Sequence, residues 1–365
     1  MDDQPLIPAY GGACIANLVP ALLGSDPAPD WLPPALADAD PLVLLVLDGL
    51  GWEQLQARRH VAPTLAAMAG IPIHSVCPTT TSTALTSITT GLAPGEHGIV
   101  GYRINLEGEV LNVLRWGVSG KDARDRFVPE KIQVHEPFLS QRPAIVTRAE
   151  FATSGFTRAH LDGVRFHGYR VLSSLVTEIR VALRASEPFV YAYYDGLDKV
   201  SHEYGLGEHY DAELAALDAL VANLAVLVPS GTTIAVTADH GQVEVGDDLI
   251  DLHPEVQTHV ASQSGEGRFR WLHARHGRAG ALLEAASARH ADRGWVVSRQ
   301  QTIDEGWFGP VVTDAARSRL GDVALVARDD VAYVDPDDTG PYHLIGRHGS
   351  LTSAEVVVPL LTLTT

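Results

Sequence analysis

Lysine is nearly missing from this chain: Lys121, Lys131 and Lys199 are its only three, and with arginine they total 27 basic residues against 45 acidic ones, a net charge of −18. Without a positive field there is no counterion release to drive binding along a phosphate backbone or an anionic bilayer, so no nucleic-acid polymer and no membrane is expected as a partner. A small anionic substrate stays open. Cysteine is equally sparse. Cys14 and Cys77 cannot build a disulfide framework and fit a reducing compartment. The strongest apolar run, Leu42 to Leu47, is far too short to span a bilayer, and the start, Met1-Asp2-Asp3-Gln4-Pro5, has no basic region, the first Arg or Lys being Arg58. A cytoplasmic, bacterial protein with no export signal or anchor is the expectation, with the oligomeric state open.

What is present suits a packed core: 365 residues, 45% hydrophobic and 20% charged. Leu42-Val43-Leu44-Leu45-Val46-Leu47 is apolar without alternation, as in a strand buried on both faces. Similar signals recur at Ala144-Ile145-Val146, Phe189-Val190-Tyr191-Ala192-Tyr193 and Thr233-Ile234-Ala235-Val236-Thr237, each after a helical pattern, the clearest of which runs from Ala212 to Leu227. Strands alternating with helices predict an α/β fold with a mostly parallel central sheet sandwiched by helices, and ligands at the carboxyl ends of its strands. A single catalytic domain over 1–365 is expected. Residues 1–41, rich in Pro and Gly, read as a lead-in; 101–140 and about 246–345, with weaker periodicity, read as insertions forming a substrate cleft.

Three strand ends finish in carboxylates: Asp48, then Asp195 with Asp198, then Asp239-His240. Parallel topology gathers such ends, and the accumulated negative charge is unfavourable unless cations sit among them. An Asp-Gly after a strand is also an ordinary turn, and Asp198 with His202, four apart, is also an ordinary helix-surface pair. Pro78 to Gly91 is a hydroxyl-rich run that reads as a helix with buried Ala84, Leu85 and Ile88 and with Gly91 as its stop. One hydroxyl at its amino terminus, beside a divalent cation, could lose its proton near neutral pH and become a nucleophile. His348, flanked by Gly346-Arg347 and Gly349 and shortly before a terminal strand expected over Val356 to Leu361, offers a further imidazole ligand to a two-ion site.

Together, strand-Asp-Gly, Pro-Thr-x-Thr leading to Thr-Gly-Leu-x-Pro-x-x-His-Gly, Asp-x-x-x-His, Asp-His-Gly and a late His-Gly resemble the alkaline phosphatase superfamily, in particular its type I phosphodiesterase and nucleotide pyrophosphatase branch, from residue 42 to residue 361. The resemblance implies a metal-dependent hydrolase of phosphodiester or pyrophosphate bonds in small, anionic, nucleotide-like substrates. It implies Thr81 as nucleophile through a phosphothreonine intermediate, one ion held by Asp198, His202 and His348, and a second held by Asp48, Thr81, Asp239 and His240. Two divalent ions, Zn2+ or Mn2+, are the implied cofactors.

A cyclic dinucleotide such as cyclic di-AMP is a sub-case suited to a cytosolic enzyme. Eukaryotic members of the family carry an Asn three after the nucleophile that binds a phosphoryl oxygen; here Ala84 stands there, and the Ser82 N–H and Thr83 are the candidates to replace it. Cys77-Pro78-Thr79-Thr80-Thr81 lacks the Cys-x-Pro-x-Arg context of sulfatases.

Two alternatives are a phosphomonoesterase on the same scaffold and a metal-binding module without turnover. The absence of Lys and Arg from Val76 to Gly91 favours a diester over a monoester dianion, and a threonine at 81 favours an enzyme. Gly265-Glu266-Gly267-Arg268-Phe269-Arg270-Trp271 reads first as an edge strand with solvated arginines, and second as a place to meet a phosphate and stack a base. Tyr102, Trp116 and Phe156 are assigned to the core.

Overall fold

The computed structural model describes residues 4–338, 340 and 343–365; residues 1–3, and 339, 341 and 342 of the later insertion, lie outside it. Its centre is a seven-stranded sheet. In chain order the strands are β1 (Leu42–Leu47), β2 (Ala69–His74), β3 (Ala144–Arg148), β4 (Arg165–Tyr169), β5 (Phe189–Tyr194), β6 (Thr233–Thr237) and β7 (Val357–Thr364), and they lie side by side as β2-β7-β6-β1-β5-β3-β4. Five neighbouring strands, β6-β1-β5-β3-β4, are parallel. The terminal strand β7 runs antiparallel to β6 and β2, so the sheet is mixed at one side.

Every residue of β1, β5 and β6 is buried, which accounts for apolar runs that do not alternate. The helices Leu172–Arg184 and Glu208–Leu227 pack apolar faces against the sheet, with Leu214, Leu217, Val221 and Leu224 of the second fully buried. The two strands that sequence patterning does not reveal are the two edges. β2 contains Gly70 and Pro72, and β4 contains His167 and Gly168; edge strands tolerate such residues because one side of the ladder needs no partner.

The hydroxyl-rich segment forms α1 (Thr81–Thr90), but all ten of its residues are buried, where a single buried face was expected. Its hydroxyls satisfy themselves against the preceding turn: Thr86, Thr89 and Thr90 Oγ1 donate to the carbonyls of Ser82, Leu85 and Thr86 at 2.7, 3.0 and 2.7 Å. A polar helix can therefore be enclosed without orphaned groups along most of its length. Gly91, at φ 71°, closes it, donating its N–H to Ser87.

The two inserted segments make small antiparallel sheets. Residues 103–122 give one of four strands; Val260–Glu266, Phe269–Ala274, Val323–Ala327 and Gly294–Ser298 give another, with Phe269–Ala274 between two neighbours. The Phe269 strand is thus internal, not an edge. Among the described residues no helix is long and apolar enough to cross a membrane.

Leu44 sits fully buried at the centre of β1 between Ala235 and Tyr191. Leu44→Ala should cost about 2–5 kcal/mol of stability by the lost transfer energy and the cavity left behind, read as a lowered urea midpoint with an unchanged slope.

Candidate active site

Because β6, β1 and β5 are neighbours, their carboxyl ends deliver Asp239-His240, Asp48 and Asp195 to one place, and the helix after β5, α2 (Gly196–Tyr204), adds Asp198 and His202. The corner is tight. Gly49 has φ +76°, and a Cβ there would lie 2.4 Å from Gln242 Nε2 and 3.3 Å from Asp198 Cβ, which explains the glycine after Asp48 as the result of close approach and not only of a turn. A Cβ on Gly241 would fall 2.0 Å from the Ala354 carbonyl.

All seven residues singled out for ligation are brought together. Ligand atoms of Asp48, Asp239 and His240 lie within 4.8 Å of one another, and so do those of Asp198, His240 and His348. His240 thus belongs to both groups. Its ring stacks flat on that of His348, centroids 3.7 Å apart at 14°. His202, expected beside His348, has Nε2 3.3 Å from Asp198 Oδ1, and the two rings are 5.2 Å apart. The nearer imidazole partner of His348 is His240 because of that stacking. Thr81 Oγ1, at the amino end of α1, is 3.2 Å from His240 Nε2.

The three imidazoles share one arrangement. His202, His240 and His348 each place Nδ1 against a backbone carbonyl, of Gly346, Gly241 and Thr79, at 2.7, 3.0 and 2.8 Å. With the proton assigned to Nδ1, all three Nε2 lone pairs face the carboxylates, the tautomer a metal ligand needs. In that tautomer Thr81 donates its hydroxyl proton to His240 Nε2.

Each carboxylate is held by one oxygen and free at the other, or held by a neutral amide. Tyr193 donates to Asp48 Oδ2; Gly49 and His240 N–H donate to Asp239 Oδ1 at 3.2 and 3.1 Å; Gln242 Nε2 donates to Asp198 Oδ1 at 2.8 Å and is itself held by Ser201. Asp48 Oδ1 and Asp239 Oδ2 are buried with no hydrogen-bond donor. Burial, then the neighbouring Asp239 and Asp198, push Asp48 well above the usual carboxylate range; burial also raises Asp239. His348 is driven well below the usual imidazole value by burial and by the other two histidines. Orphaned carboxylate oxygens facing neutral imidazole lone pairs are a donor set that fits divalent cations.

Beside Thr81 lies a cavity of about 250 Å³, also bounded by Asp48, Asp198 and Lys199 and floored by Leu85, Leu114, Phe151, Phe156 and Leu161. Phe156 stacks on His160 with centroids 3.9 Å apart. Assigned to the core from sequence, Phe156 is buried and yet forms a wall of the cavity; only its distance along the chain hid this. Trp116 is core, with Nε1 donating to the Phe127 carbonyl at 2.6 Å, whereas Tyr102 borders a separate polar groove of about 930 Å³. Lys199 Nζ and Arg148 Nε each lie 2.5 Å from the carboxylate of Asp195, so both cations near the cavity are engaged. The Ser82 and Thr83 side chains are fully buried: Ser82 Oγ donates to the Gly101 carbonyl at 3.0 Å and Thr83 Oγ1 has no partner. The Ser82 backbone N–H lies in the first turn of α1.

Residues 42–351 match the model of the family described as type I phosphodiesterase / nucleotide pyrophosphatase. The chain belongs to this family. It is thereby a hydrolase of the phosphodiesterase and pyrophosphatase class, within the alkaline phosphatase superfamily. Solved structures with the same fold include human ectonucleotide pyrophosphatase/phosphodiesterase 5, at 15% identity and TM-score 0.66 over 88% of this chain and 87% of that one, and an inactive form of the murine protein in complex with AMP, at 13% and 0.65 over the same shares. Phosphonoacetate hydrolase from Sinorhizobium meliloti 1021, in complex with phosphonoacetate, aligns at 19% and 0.63 over 89% and 90%. No curated protein sequence matches the chain.

Behind Thr81 of this phosphodiesterase-family chain lies a carboxyl that sequence patterning does not single out. Glu266 is buried against Thr80 and Gly349, with Oε1 unpartnered, and burial pushes it up to about 8. Unfolded, it ionises near ~4.3, so stability is lost progressively as pH rises from there to about 8. Glu266→Gln should therefore raise the melting temperature more at pH 8 than at pH 5; an equal gain at both contradicts it.

Because Asp48 and Asp239 retain protons unusually well, uptake of Zn2+ by metal-free protein should expel protons. Calorimetric titrations in two buffers of different ionisation enthalpy should give different apparent binding enthalpies, and identical values count against it.

Proposed function

We propose that the chain hydrolyses a phosphodiester or pyrophosphate bond in a small nucleotide-like substrate, with Thr81 as nucleophile and divalent cations, Zn2+ or Mn2+, held by Asp48, Asp198, His202, Asp239, His240 and His348. One observation carries this: Thr81 Oγ1 stands between a cluster of imidazoles and orphaned carboxylate oxygens on one side and a cavity with an apolar floor on the other. Cations in that cluster supply charge neutralisation and lower the pKa of a hydroxyl beside them.

The residues then divide the work. Thr81 Oγ forms the bond to phosphorus while the bond from phosphorus to the leaving-group oxygen breaks, and water afterwards cleaves the phosphothreonine, returning the hydroxyl. In the metal-free chain the Thr81 hydroxyl donates to His240 Nε2; with that nitrogen on a cation, Thr81 would give up its proton to solvent water as the cation lowers its pKa. The Ser82 N–H and the start of α1 favour the negative charge on a nonbridging oxygen. The cavity takes the organic substituent. Its apolar floor favours an esterified phosphate over a bare monoester dianion, and Lys199 and Arg148, the cations a dianion would draw on, are already paired with Asp195.

Cyclic di-AMP belongs to the substrates so favoured, since one nucleoside arm can enter the cavity while the other lies outside. Two buried free thiols, Cys14 and Cys77, fit a cytoplasmic location. A sensor without turnover is less well supported, because it has no use for a hydroxyl at position 81.

Metal-loaded protein should release p-nitrophenol from bis-p-nitrophenyl phosphate faster than from the monoester. Thr81→Ala should reduce this at least about a thousandfold with the melting temperature little changed, and Asp239→Asn should abolish it with the fold intact. Turnover by Thr81→Ala equal to the parent would refute the nucleophile; a preference for monoesters would favour the phosphomonoesterase. The same assay on cyclic dinucleotides, dinucleoside polyphosphates and nucleotide sugars identifies the substrate.

A further inference from the structure

The turn at Gly267-Arg268 caps a hairpin of Val260–Glu266 and Phe269–Ala274, and the run from Gly265 to Trp271 within it reads in sequence as an edge strand with solvated arginines. Its arginines are not solvated. Arg268 is fully buried, and its guanidinium makes a two-pronged pair with Glu355, Nε to Oε1 and Nη2 to Oε2, both at 2.8 Å, while Nη1 donates to the Asp329 and Val331 carbonyls at 2.8 Å. Glu355 is also fully buried. A dehydrated ion pair is a costly way to join two segments, and apolar residues of similar volume commonly do as well or better, so stability alone is a poor account of it.

What Glu355 holds supplies another. Oε1 accepts the Ser350 N–H at 2.9 Å and Oε2 accepts the Thr352 hydroxyl at 2.6 Å, while the Glu355 backbone carbonyl accepts the Gly241 N–H at 2.9 Å. One residue thus grips both the loop that carries His348 and the turn that carries Asp239 and His240. The grip continues through Thr79. Its hydroxyl donates to the Ser350 carbonyl at 2.8 Å and accepts the Gly349 N–H at 3.0 Å, and its carbonyl accepts His348 Nδ1 at 2.8 Å. From the other side Glu266, on the same hairpin as Arg268, packs against Gly349, where a Cβ would meet Glu266 Cγ at 2.7 Å.

We infer that Arg268 and Glu355 are positioning residues for the cation site: by pinning the 348–352 loop, their side chains set the direction of the His348 Nε2 lone pair and so the affinity for divalent ions. The inference rests on the proposed function of that site. Residues that orient metal ligands through hydrogen bonds typically change affinity about ten- to a hundredfold when removed.

The test measures Zn2+ and Mn2+ affinity of the full chain by competition with a chromophoric chelator, beside the melting temperature of the metal-free form. The double variant Arg268→Met/Glu355→Leu removes both charges together and leaves neither unpaired. It is expected to melt within a few degrees of the parent while binding both ions about ten- to a hundredfold more weakly. A folded double variant whose affinity is within twofold of the parent overturns the inference. Should that variant not fold, Thr79→Val decides: it keeps shape, removes both hydroxyl bonds to the 349–350 backbone, and is expected to weaken binding about tenfold, unchanged affinity again overturning the inference. A parent chain that takes up neither ion instead overturns the site itself, so the two failures are told apart.

Discussion

Like charge confined away from water is the constraint around which this molecule is arranged. Asp48, Asp198 and Asp239 stand at the ends of neighbouring strands or one turn beyond, all of them buried, and two of their oxygens receive no hydrogen bond. Burial and like charge raise both Asp48 and Asp239 above the ordinary carboxylate range. Parallel topology produces the crowding automatically, because strands that all point one way deposit their next residues on the same rim. Every nearby feature can be understood as a response: a tyrosine hydroxyl on Asp48, an amide on Asp198, backbone N–H groups on Asp239, and imidazoles whose protons are all turned outward.

That last feature links chemistry to the backbone. A free imidazole chooses either nitrogen for its proton; here peptide carbonyls at Gly346, Gly241 and Thr79 make the choice three times. The helix bearing Thr81 is similarly committed, since hydroxyls that bond to their own preceding turn allow ten consecutive residues to be enclosed. Thr81 is thereby carried on a packed element, as the proposed role of its oxygen requires if its distance to phosphorus is to be reproducible.

Much of this is visible in the amino-acid order, and the reasons are local. Continuous apolar runs reveal β1, β5 and β6 because nothing but burial on two faces tolerates them, and the acidic residues just beyond each run are then placed by topology alone. The stacking of His240 on His348 is not visible, as it depends on the path of a loop more than a hundred residues downstream. Nor are Tyr193, Gln242, Thr79 and Glu355, whose partners are backbone atoms or side chains remote in the chain. β2 and β4 escape notice because edges accept proline, glycine and polar side chains. The run from Gly265 to Trp271 misleads for a definite reason: two arginines beside glycines look solvated until a buried glutamate 87 positions away is known to face one of them.

Gly49 and Gly241 mark places where polypeptide touches polypeptide with no gap for even a methyl group. The corner they close is bounded at Gly241 by the Ala354 carbonyl, main chain whose shape does not vary with side-chain identity, and at Gly49 by the Gln242 amide. The cavity next to it is walled differently, by Leu114 from one inserted segment and by Phe151 and Phe156 from the stretch after β3. Exchange of those three residues alters the shape of the cavity and leaves the corner beside it as it is.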